Sequence, residues 1–225
     1  MYRGFYQYEF VSDLLVNSLM QTLLDNSQKQ VTPSLTPHME EKALLALVWD
    51  SRWESFFTKQ LGESTFAHLK KIVPPTWVIG QEDFFTLGLP QGITSSEELA
   101  NLARSKRNFV LKKSGFGDDS SWGEGVSFLQ EKSATQARNL LVAASKDSQS
   151  LYIVQEFKPS QERPMVYDKD GHSIEQMNAR IRLTPYFSMT GREDGQLIAI
   201  KATGCEDTNY IHASTGSINT AVAVV

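Results

Sequence analysis

The sequence FVLKKSGFGDDSSWGEGV at residues 109–126 has the pattern of a β-hairpin with a glycine-rich loop. A short apolar run leads into Lys112 and Lys113, four glycines follow, and a second strand-like run occupies residues 125–129. Glycine lets backbone N–H groups approach an anion closely because it has no Cβ. A lysine on the preceding strand adds a positive charge for a phosphate. The stretch therefore predicts a flap that covers a polyphosphate.

The loop differs from the common phosphate-binding motifs. The Walker A string G-x-x-x-x-G-K-[ST] does not occur anywhere in the chain, and the loop is not G-x-G-x-x-G either. The four glycines, together with Asp118 and Asp119, predict a loop with few buried contacts. A glycine-rich hairpin with solvated lysines is therefore the alternative to a phosphate-binding flap.

Composition and charge narrow the class of protein. With 225 residues, of which 40% are hydrophobic and 21% charged, the chain is large enough for one large domain or two lobes with a core. A net charge of -4 argues against a nucleic-acid partner. Neither a membrane-span-length apolar run nor a signal-peptide layout is present in the sequence, and the single cysteine, Cys205, excludes an internal disulfide. These features predict a cytoplasmic protein without a membrane or nucleic-acid partner.

Hydrophobic periodicity predicts helices on both sides of the hairpin. Ser12 is the expected N-cap of the first helix, and Ser95 with Glu98 and Ser133 with Gln136 form capping boxes for two later ones. The predicted helices span residues 12–26, 38–50, 51–62, 64–73, 95–106 and 134–146. The third either continues the second or starts anew.

Apolar and alternating runs predict the strands. The predicted strands span residues 1–10, 76–80, 109–111, 125–129, 151–157, 179–189 and 196–204. The turn TGREDG at 190–195 joins the last two strands in a hairpin. Because some strands are joined by hairpins and others by helices, the sequence predicts α+β or mixed α/β lobes rather than a doubly wound sheet.

The order of several short sequences is similar to that of a known superfamily. These sequences are EEKALLAL, PPTWVI, VLKKSGFG…WGEGV, IVQEF, RIRLTPYF and ATG…IHAST. In this order they resemble the ATP-grasp superfamily, and specifically its circularly permuted branch, which includes glutathionylspermidine-synthase-like proteins. The resemblance covers most of the chain, from Tyr2 to its end.

The resemblance implies an α+β fold of two lobes with mixed or antiparallel sheets that hold ATP between them. Residues 1–80 are then a helical segment that completes the large lobe, 81–157 the small lobe with its glycine-rich flap, and 158–225 a C-terminal sheet lobe. The implied ancestral activity is ATP-dependent carboxylate–amine ligation through an acyl phosphate. ATP and Mg²⁺ are the implied cofactors.

The resemblance also implies which residues contact the phosphates. Lys42 and Lys112 match two lysines that reach the nucleotide. Because strand residues alternate between faces, only one of Lys112 and Lys113 can face it, and the motif selects Lys112. For Lys42 the alternative is a lysine on the polar face of an amphipathic helix. The implied flap residues are Ser114, Gly115, Gly117, Trp122 and Gly123. For the tryptophan, an anchor that orders the loop by packing is the alternative.

Further implied residues lie at the end of the predicted strand 151–157 and shortly after it. Gln155, Glu156 and Phe157 match the hinge between the lobes, where free backbone N–H and C=O groups hydrogen-bond the adenine edge. Glu162 matches a polar group that holds the ribose hydroxyls, because a carboxylate accepts two hydrogen bonds. A solvated loop charge is the alternative for Glu162.

One arginine is implied as the catalytic residue. Arg182 matches a strand arginine that faces the transferred phosphate or the acyl substrate, a role suited to a forked donor that stays charged. Arg180 shares its strand face, so one of the two is alternatively a surface residue. His212 has no assigned role and is interpreted as structural.

The chain departs from the ATP-grasp pattern at the metal site. The family holds Mg²⁺ with an Asp and an E-x-N pair, and the chain contains no E-x-N string. The nearest imitation is Glu206 with Asp207 and Asn209, for which an acidic turn is the alternative. The metal ligands are therefore unknown, and an upstream protein or subunit is an expected partner that supplies them.

A nucleotide-binding or structural module without catalysis is the alternative function, and assembly into a homo-oligomer is left open.

Overall fold

The computed structural model describes residues 13–25, 37–79, 92–115, 117–121, 123–169, 171–188, 195–206, 208–212 and 216–222. The chain divides into two compact units, Met1–Phe157 and Lys158–Val225, and each is considered by itself. Helices combined with two antiparallel sheets confirm the α+β class. The strand predicted at 1–10 and the predicted flap residue Trp122 lie outside the described residues.

Six α-helices lie in the described part of the first unit. They are α1 (Leu14–Leu24), α2 (Leu44–Leu47), α3 (Glu54–Leu61), α4 (Glu63–Ile72), α5 (Ser96–Asn101) and α6 (Ala134–Lys146). The helix predicted at 38–50 is shorter than expected, because a 3₁₀ turn at Pro37–Glu40 precedes α2. Among the described residues, none of these helices has the length and apolar character required to cross a bilayer.

Helix ends show which capping predictions are correct. Ser133 and Gln136 form the predicted capping box of α6, with both reciprocal hydrogen bonds present. The predicted N-cap of α1 is wrong, because the carboxylate of Asp13 accepts from the backbone N–H groups of Leu15 and Val16. The helix opened by Ser95 also ends earlier than predicted. Its Ala100 carbonyl accepts a hydrogen bond of 2.7 Å from the Arg107 guanidinium, so a side chain satisfies a group that another helical turn would have used.

The first sheet carries the predicted hairpin. Its strands are β1 (Thr76–Ile79), β2 (Phe109–Lys113), β3 (Val126–Phe128) and β4 (Tyr152–Glu156). Their spatial order is β1-β4-β2-β3, and every neighbouring pair is antiparallel. Phe109, Leu111 and Val154 face one side and pack into a single core with Leu99 of α5 and Leu141 of α6. The hairpin strand β2 therefore packs against α6.

The second unit contains an antiparallel sheet of four strands. They are β5 (Glu162–Asp168), β6 (Ile174–Ser188), β7 (Gln196–Cys205) and β8 (Ile218–Ala221), in that spatial order. The β6–β7 pair is the predicted hairpin, whereas no strand is predicted at the position of β5. Residues of β5 pair with β6 over the whole range from Glu162 opposite Arg180 to Asp168 opposite Ile174, so long-range pairing outweighs local polarity.

Candidate phosphate-binding site

Two lysines from distant parts of the first unit lie close enough to repel each other. Burial lowers the pKa of Lys112, and the positive charge of Lys42 lowers it further. Burial also lowers the pKa of Lys42, although the neighbouring Glu41 carboxylate opposes this shift. Within the described part of the chain, no carboxylate lies within ion-pair distance of either ammonium group. Two half-buried cations that form no ion pair with a described carboxylate favour the binding of an anion.

Strand alternation places Lys112 on the sheet face opposite the apolar core. Its ammonium group donates a hydrogen bond of 2.7 Å to Oε1 of Gln155 on the adjacent strand β4. Nε2 of Gln155 donates to Oγ1 of Thr76 on β1 at 2.8 Å. Both polar partners are buried. Lys112 is therefore held by neutral groups, and its charge is not cancelled.

The chain segment before α2 contacts the glycine-rich loop. Nζ of Lys42 donates to the backbone carbonyl of Ser120 at 2.5 Å. The backbone N–H of Ala43 donates to Oγ of Ser114 at 2.8 Å, and that hydroxyl donates to the Glu41 carboxylate. Lys42 therefore does not simply cover the polar face of a helix, because it bonds to a residue of the loop.

The neighbouring lysine has a different environment. Lys113 points to the other side of the sheet and forms an ion pair with Asp119 in the loop. This hydrogen bond is the main cause that raises the pKa of Lys113, and the charges of Tyr152 and Asp147 raise it further. The predicted alternation of the two lysines is therefore seen in the structure. The assignment of Lys112 to a phosphate stays a prediction.

The glycine-rich loop contains both buried and exposed residues. Ser114, Ser120 and Ser121 are buried, whereas Asp118 and Asp119 are exposed. The two aspartates are thus exposed as expected, whereas Ser120 is buried and its hydroxyl donates to the Gly117 carbonyl within the loop.

Glycines of the loop meet two separate requirements. Gly115 and Gly123 have φ angles of 126° and 86°, in the region that residues with a Cβ rarely adopt. Gly117 has an ordinary φ of -80°. A Cβ on Gly125 would lie 2.7 Å from the carbonyl oxygen of Asp119, so this position requires glycine for close approach of the two chain segments.

The predicted hinge residues do not offer the free backbone groups that were expected. The N–H of Glu156 donates to the Pro75 carbonyl at 2.8 Å, and the N–H of Phe157 donates to the Asn108 carbonyl at 2.8 Å. The Phe157 carbonyl accepts from Nδ2 of Asn108 at 2.6 Å. The physical reason is that β4 lies between β1 and β2, so chain segments on both of its sides use these groups. At Gln155 the polar group that reaches the candidate site is the side chain.

Two of the implied site residues belong to the second unit. Glu162 begins strand β5 and pairs with Arg180 on β6, with 3.1 Å between carboxylate and guanidinium. It is therefore not a loop charge, which corrects the alternative interpretation. Arg182 is exposed on β6, and its charge adds to the effect of burial in lowering the pKa of His212. Tyr210 stacks on His212, with 5.7 Å between the ring centroids.

The described residues do not form a site suited to Mg²⁺. Within the ranges given above, three or more His, Cys, Asp or Glu side chains are nowhere grouped so that they could hold a metal ion. Asp207, the central member of the imitation of an E-x-N pair, lies outside the described residues. The assignment of metal ligands therefore has no support in this part of the chain.

Comparison of the chain with known proteins gave no match to a protein family, a curated protein or a solved structure. The resemblance to the ATP-grasp superfamily therefore stays a prediction, carried by the short sequences quoted above.

Proposed function

We propose that the first unit binds the polyphosphate of a nucleotide such as ATP between Lys42 and Lys112. The observation that carries the proposal is the pair of half-buried ammonium groups, which lack a carboxylate partner among the described residues. Bringing two like charges together and partly out of water is unfavourable. An anion placed between them is attracted by both, so the electrostatic energy of the site becomes favourable. A multiply charged anion gains most from such a site.

The hydrogen-bond partners of the two lysines also support an anion. Lys112 is held by an amide oxygen and Lys42 by a backbone carbonyl, and both are neutral acceptors. Each ammonium group has three N–H donors, so donors remain for a ligand after these bonds. The site thus holds two positive charges in fixed positions, which is what recognition of a phosphate requires.

The glycine-rich loop supports a polyphosphate rather than a small anion. The loop bonds to Lys42 through Ser120 and begins directly after strand β2, which carries Lys112. A ligand that reaches both lysines would therefore lie against this loop. Glycines with positive φ allow successive backbone N–H groups to point at several phosphate oxygens.

A second candidate function is the carboxylate–amine ligation that the ATP-grasp resemblance implies. The observation that favours it is the exposed Arg182, which lies near His212 in the second unit and is suited to bind an anionic substrate. The described residues contain no cluster of three or more metal-ligating side chains, so this function needs metal ligands outside them, in the rest of the chain or from an upstream partner. A nucleotide-binding module that is not itself catalytic is the proposal that the first unit supports best.

Calorimetric titration of the full chain with ATP tests the proposal. We expect Lys112→Ala and Lys42→Ala each to weaken binding about 10- to 100-fold, since a hydrogen bond to a charged group contributes about 1.5–3 kcal/mol. Lys71→Ala is the matched control, because it removes an exposed lysine on α4 and should leave the affinity unchanged. Equal ATP affinity in all three variants would overturn the proposal.

A turnover assay separates the two candidate functions. Mg-ATP and a panel of carboxylates and amines are incubated with the full chain, and ADP release is measured. A binding module shows saturable ATP binding without steady ADP release, because positioning by a metal supplies much of phosphoryl-transfer catalysis. Steady release that is abolished in Lys112→Ala would favour the ligase.

A further inference from the structure

Four groups from three chain segments form a line of hydrogen bonds that ends at Lys112. Oγ1 of Thr76 donates to the Pro74 carbonyl at 2.7 Å. Nε2 of Gln155 donates to the same hydroxyl at 2.8 Å, and Oε1 of Gln155 accepts from Nζ of Lys112 at 2.7 Å. The strands β1, β4 and β2 that supply these side chains are direct neighbours, with Thr76 opposite Gln155.

The chemistry of the two end groups fixes every proton in this line. The Pro74 carbonyl can only accept, so the single hydroxyl hydrogen of Thr76 points to it. Thr76 must then accept from Gln155, which turns the amide nitrogen toward Thr76. At the other end Lys112 can only donate, which independently requires the amide oxygen of Gln155. The amide therefore has one orientation that satisfies both of its neighbours.

We propose that Gln155 is a positioning residue of the phosphate site, which aims the Lys112 ammonium at the ligand without neutralising it. The inference rests on the proposed function. A carboxylate at this place would hold the lysine more strongly, but it would also cancel the charge that attracts the phosphate. The adjacent Lys113 shows that outcome, because its partner is the carboxylate of Asp119.

A purely structural role for Gln155 would require only that its side chain accept a hydrogen bond from Lys112. A half-buried lysine needs an acceptor, and for that purpose a carboxylate serves at least as well as an amide. The positioning role needs an acceptor that is neutral. The charged groups that bear on Lys112 are Lys42 and, through Lys42, the adjacent Glu41. A new carboxylate at position 155 would therefore be its only ion-pair partner among the described residues.

Two substitutions of Gln155 separate these roles. Gln155→Glu keeps an acceptor but adds a negative charge, whereas Gln155→Met removes the acceptor and leaves the site's positive charge intact. Inorganic tripolyphosphate is titrated into the full-length protein and both variants by calorimetry. If Gln155 has the positioning role, the unaltered protein binds tripolyphosphate most tightly. Relative to it, Gln155→Met should bind about 3- to 10-fold more weakly and Gln155→Glu more than 10-fold more weakly. A structural role predicts that Gln155→Glu binds at least as well as Gln155→Met, and this order would overturn the proposal.

A second measurement does not depend on the ligand. The pKa of Lys112 is determined from the pH dependence of its acetylation rate, followed by mass spectrometry of the modified protein. An opposite charge stabilises the ammonium form, so Gln155→Glu should raise the pKa of Lys112, and Gln155→Met should not. An unchanged pKa in Gln155→Glu would show that position 155 does not contact Lys112 and would overturn the inference.

Substitutions of Thr76 keep the test decisive if the Gln155 variants fold poorly. Thr76→Ser retains the hydroxyl that orients the amide and should preserve tripolyphosphate affinity. Thr76→Val removes it and should weaken binding about 3-fold, and equal affinity in both would count against the line of hydrogen bonds. Absence of tripolyphosphate binding by the unaltered protein would overturn the proposed function as well. Normal binding that Gln155→Glu leaves intact would overturn the positioning role alone.

Discussion

The two faces of the first sheet differ in chemistry although the same strands build both. One face presents Phe109, Leu111 and Val154 to the helices α5 and α6. The other presents Lys112 and its buried polar partners, which are hydrogen-bonded to one another. Alternation along a strand thus allows one short element to contribute to the core and to a candidate site.

Adjacent lysines on β2 show how this difference acts on a single side-chain type. Lys113 meets the carboxylate of Asp119, which raises its pKa, whereas burial and then the charge of Lys42 lower the pKa of Lys112, whose hydrogen-bond partner is an amide. The partner, rather than the lysine, determines whether the charge is available for a ligand. If this comparison is correct, substitutions on the two faces will change different measured quantities.

The largest effect is expected on the core face. Leu141 is fully buried in α6, so Leu141→Ala should lower the free energy of unfolding by about 2–5 kcal/mol through lost burial and a cavity. Urea denaturation followed by circular dichroism measures this loss. The tripolyphosphate affinity of the folded protein should stay within about 2-fold, since Leu141 packs on the face opposite Lys112. If the affinity falls in proportion to stability, the two faces of the sheet do not act independently.

The predictable part of this fold is the part that local sequence determines. The hairpin, the capping box of α6 and the opposite directions of Lys112 and Lys113 depend on residues close together in the chain. The backbone bonds of Glu156 and Phe157 depend instead on partners at Pro75 and Asn108, which no local pattern indicates.

Long-range register also explains what sequence reasoning missed at the site. Gln155 was selected for its backbone, but its side chain contacts Lys112 because β4 lies between β1 and β2. The available signal was that Thr76 and Gln155 both lie in predicted strands, at 76–80 and 151–157. Their pairing opposite each other could only be seen in the sheet.

A smaller effect is expected where the loop crosses the end of the hairpin. A methyl group at Gly125 would meet the Asp119 carbonyl at 2.7 Å and Cβ of Lys113 at 2.8 Å, so Gly125→Ala should cost about 1–3 kcal/mol of stability. Gly117→Ala is the matched control. Its new methyl group would lie 2.9 Å from a carboxylate oxygen of Asp119, the end of a side chain that can rotate away. Equal losses for both variants in thermal denaturation would contradict this difference.

The pH dependence of stability should have opposite signs for the two lysines. The pKa of Lys112 is lower in the folded than in the unfolded protein, so the unfolded chain binds more protons. The contribution of Lys112 to stability therefore becomes more favourable as pH rises toward 10.5, the ordinary pKa of a lysine. The pKa of Lys113 is raised, so its stabilising contribution is present below that value and is lost as pH rises through the folded pKa.

Urea denaturation at several pH values between neutrality and the lysine range measures both contributions. The free energy of unfolding of Lys112→Met and of Lys113→Met is subtracted from that of the unaltered protein at each pH. The first difference should rise with pH and the second should fall. Two differences with the same slope would show that the adjacent lysines do not have different partners.

The smallest effect is expected at the ion pair between Lys113 and Asp119. Asp119 is mostly exposed, and pairs of this kind contribute about 0–1 kcal/mol, so Asp119→Asn should change stability by no more than that. Tripolyphosphate affinity should change by less than about 2-fold, because Lys113 points to the other side of the sheet from Lys112. Asp118→Asn, at an exposed neighbour in the same turn, controls for the loss of one negative charge near the loop. A gain in affinity in Asp119→Asn that is absent in Asp118→Asn would mean that the released Lys113 reaches the ligand, and the phosphate site would then include both lysines of the strand.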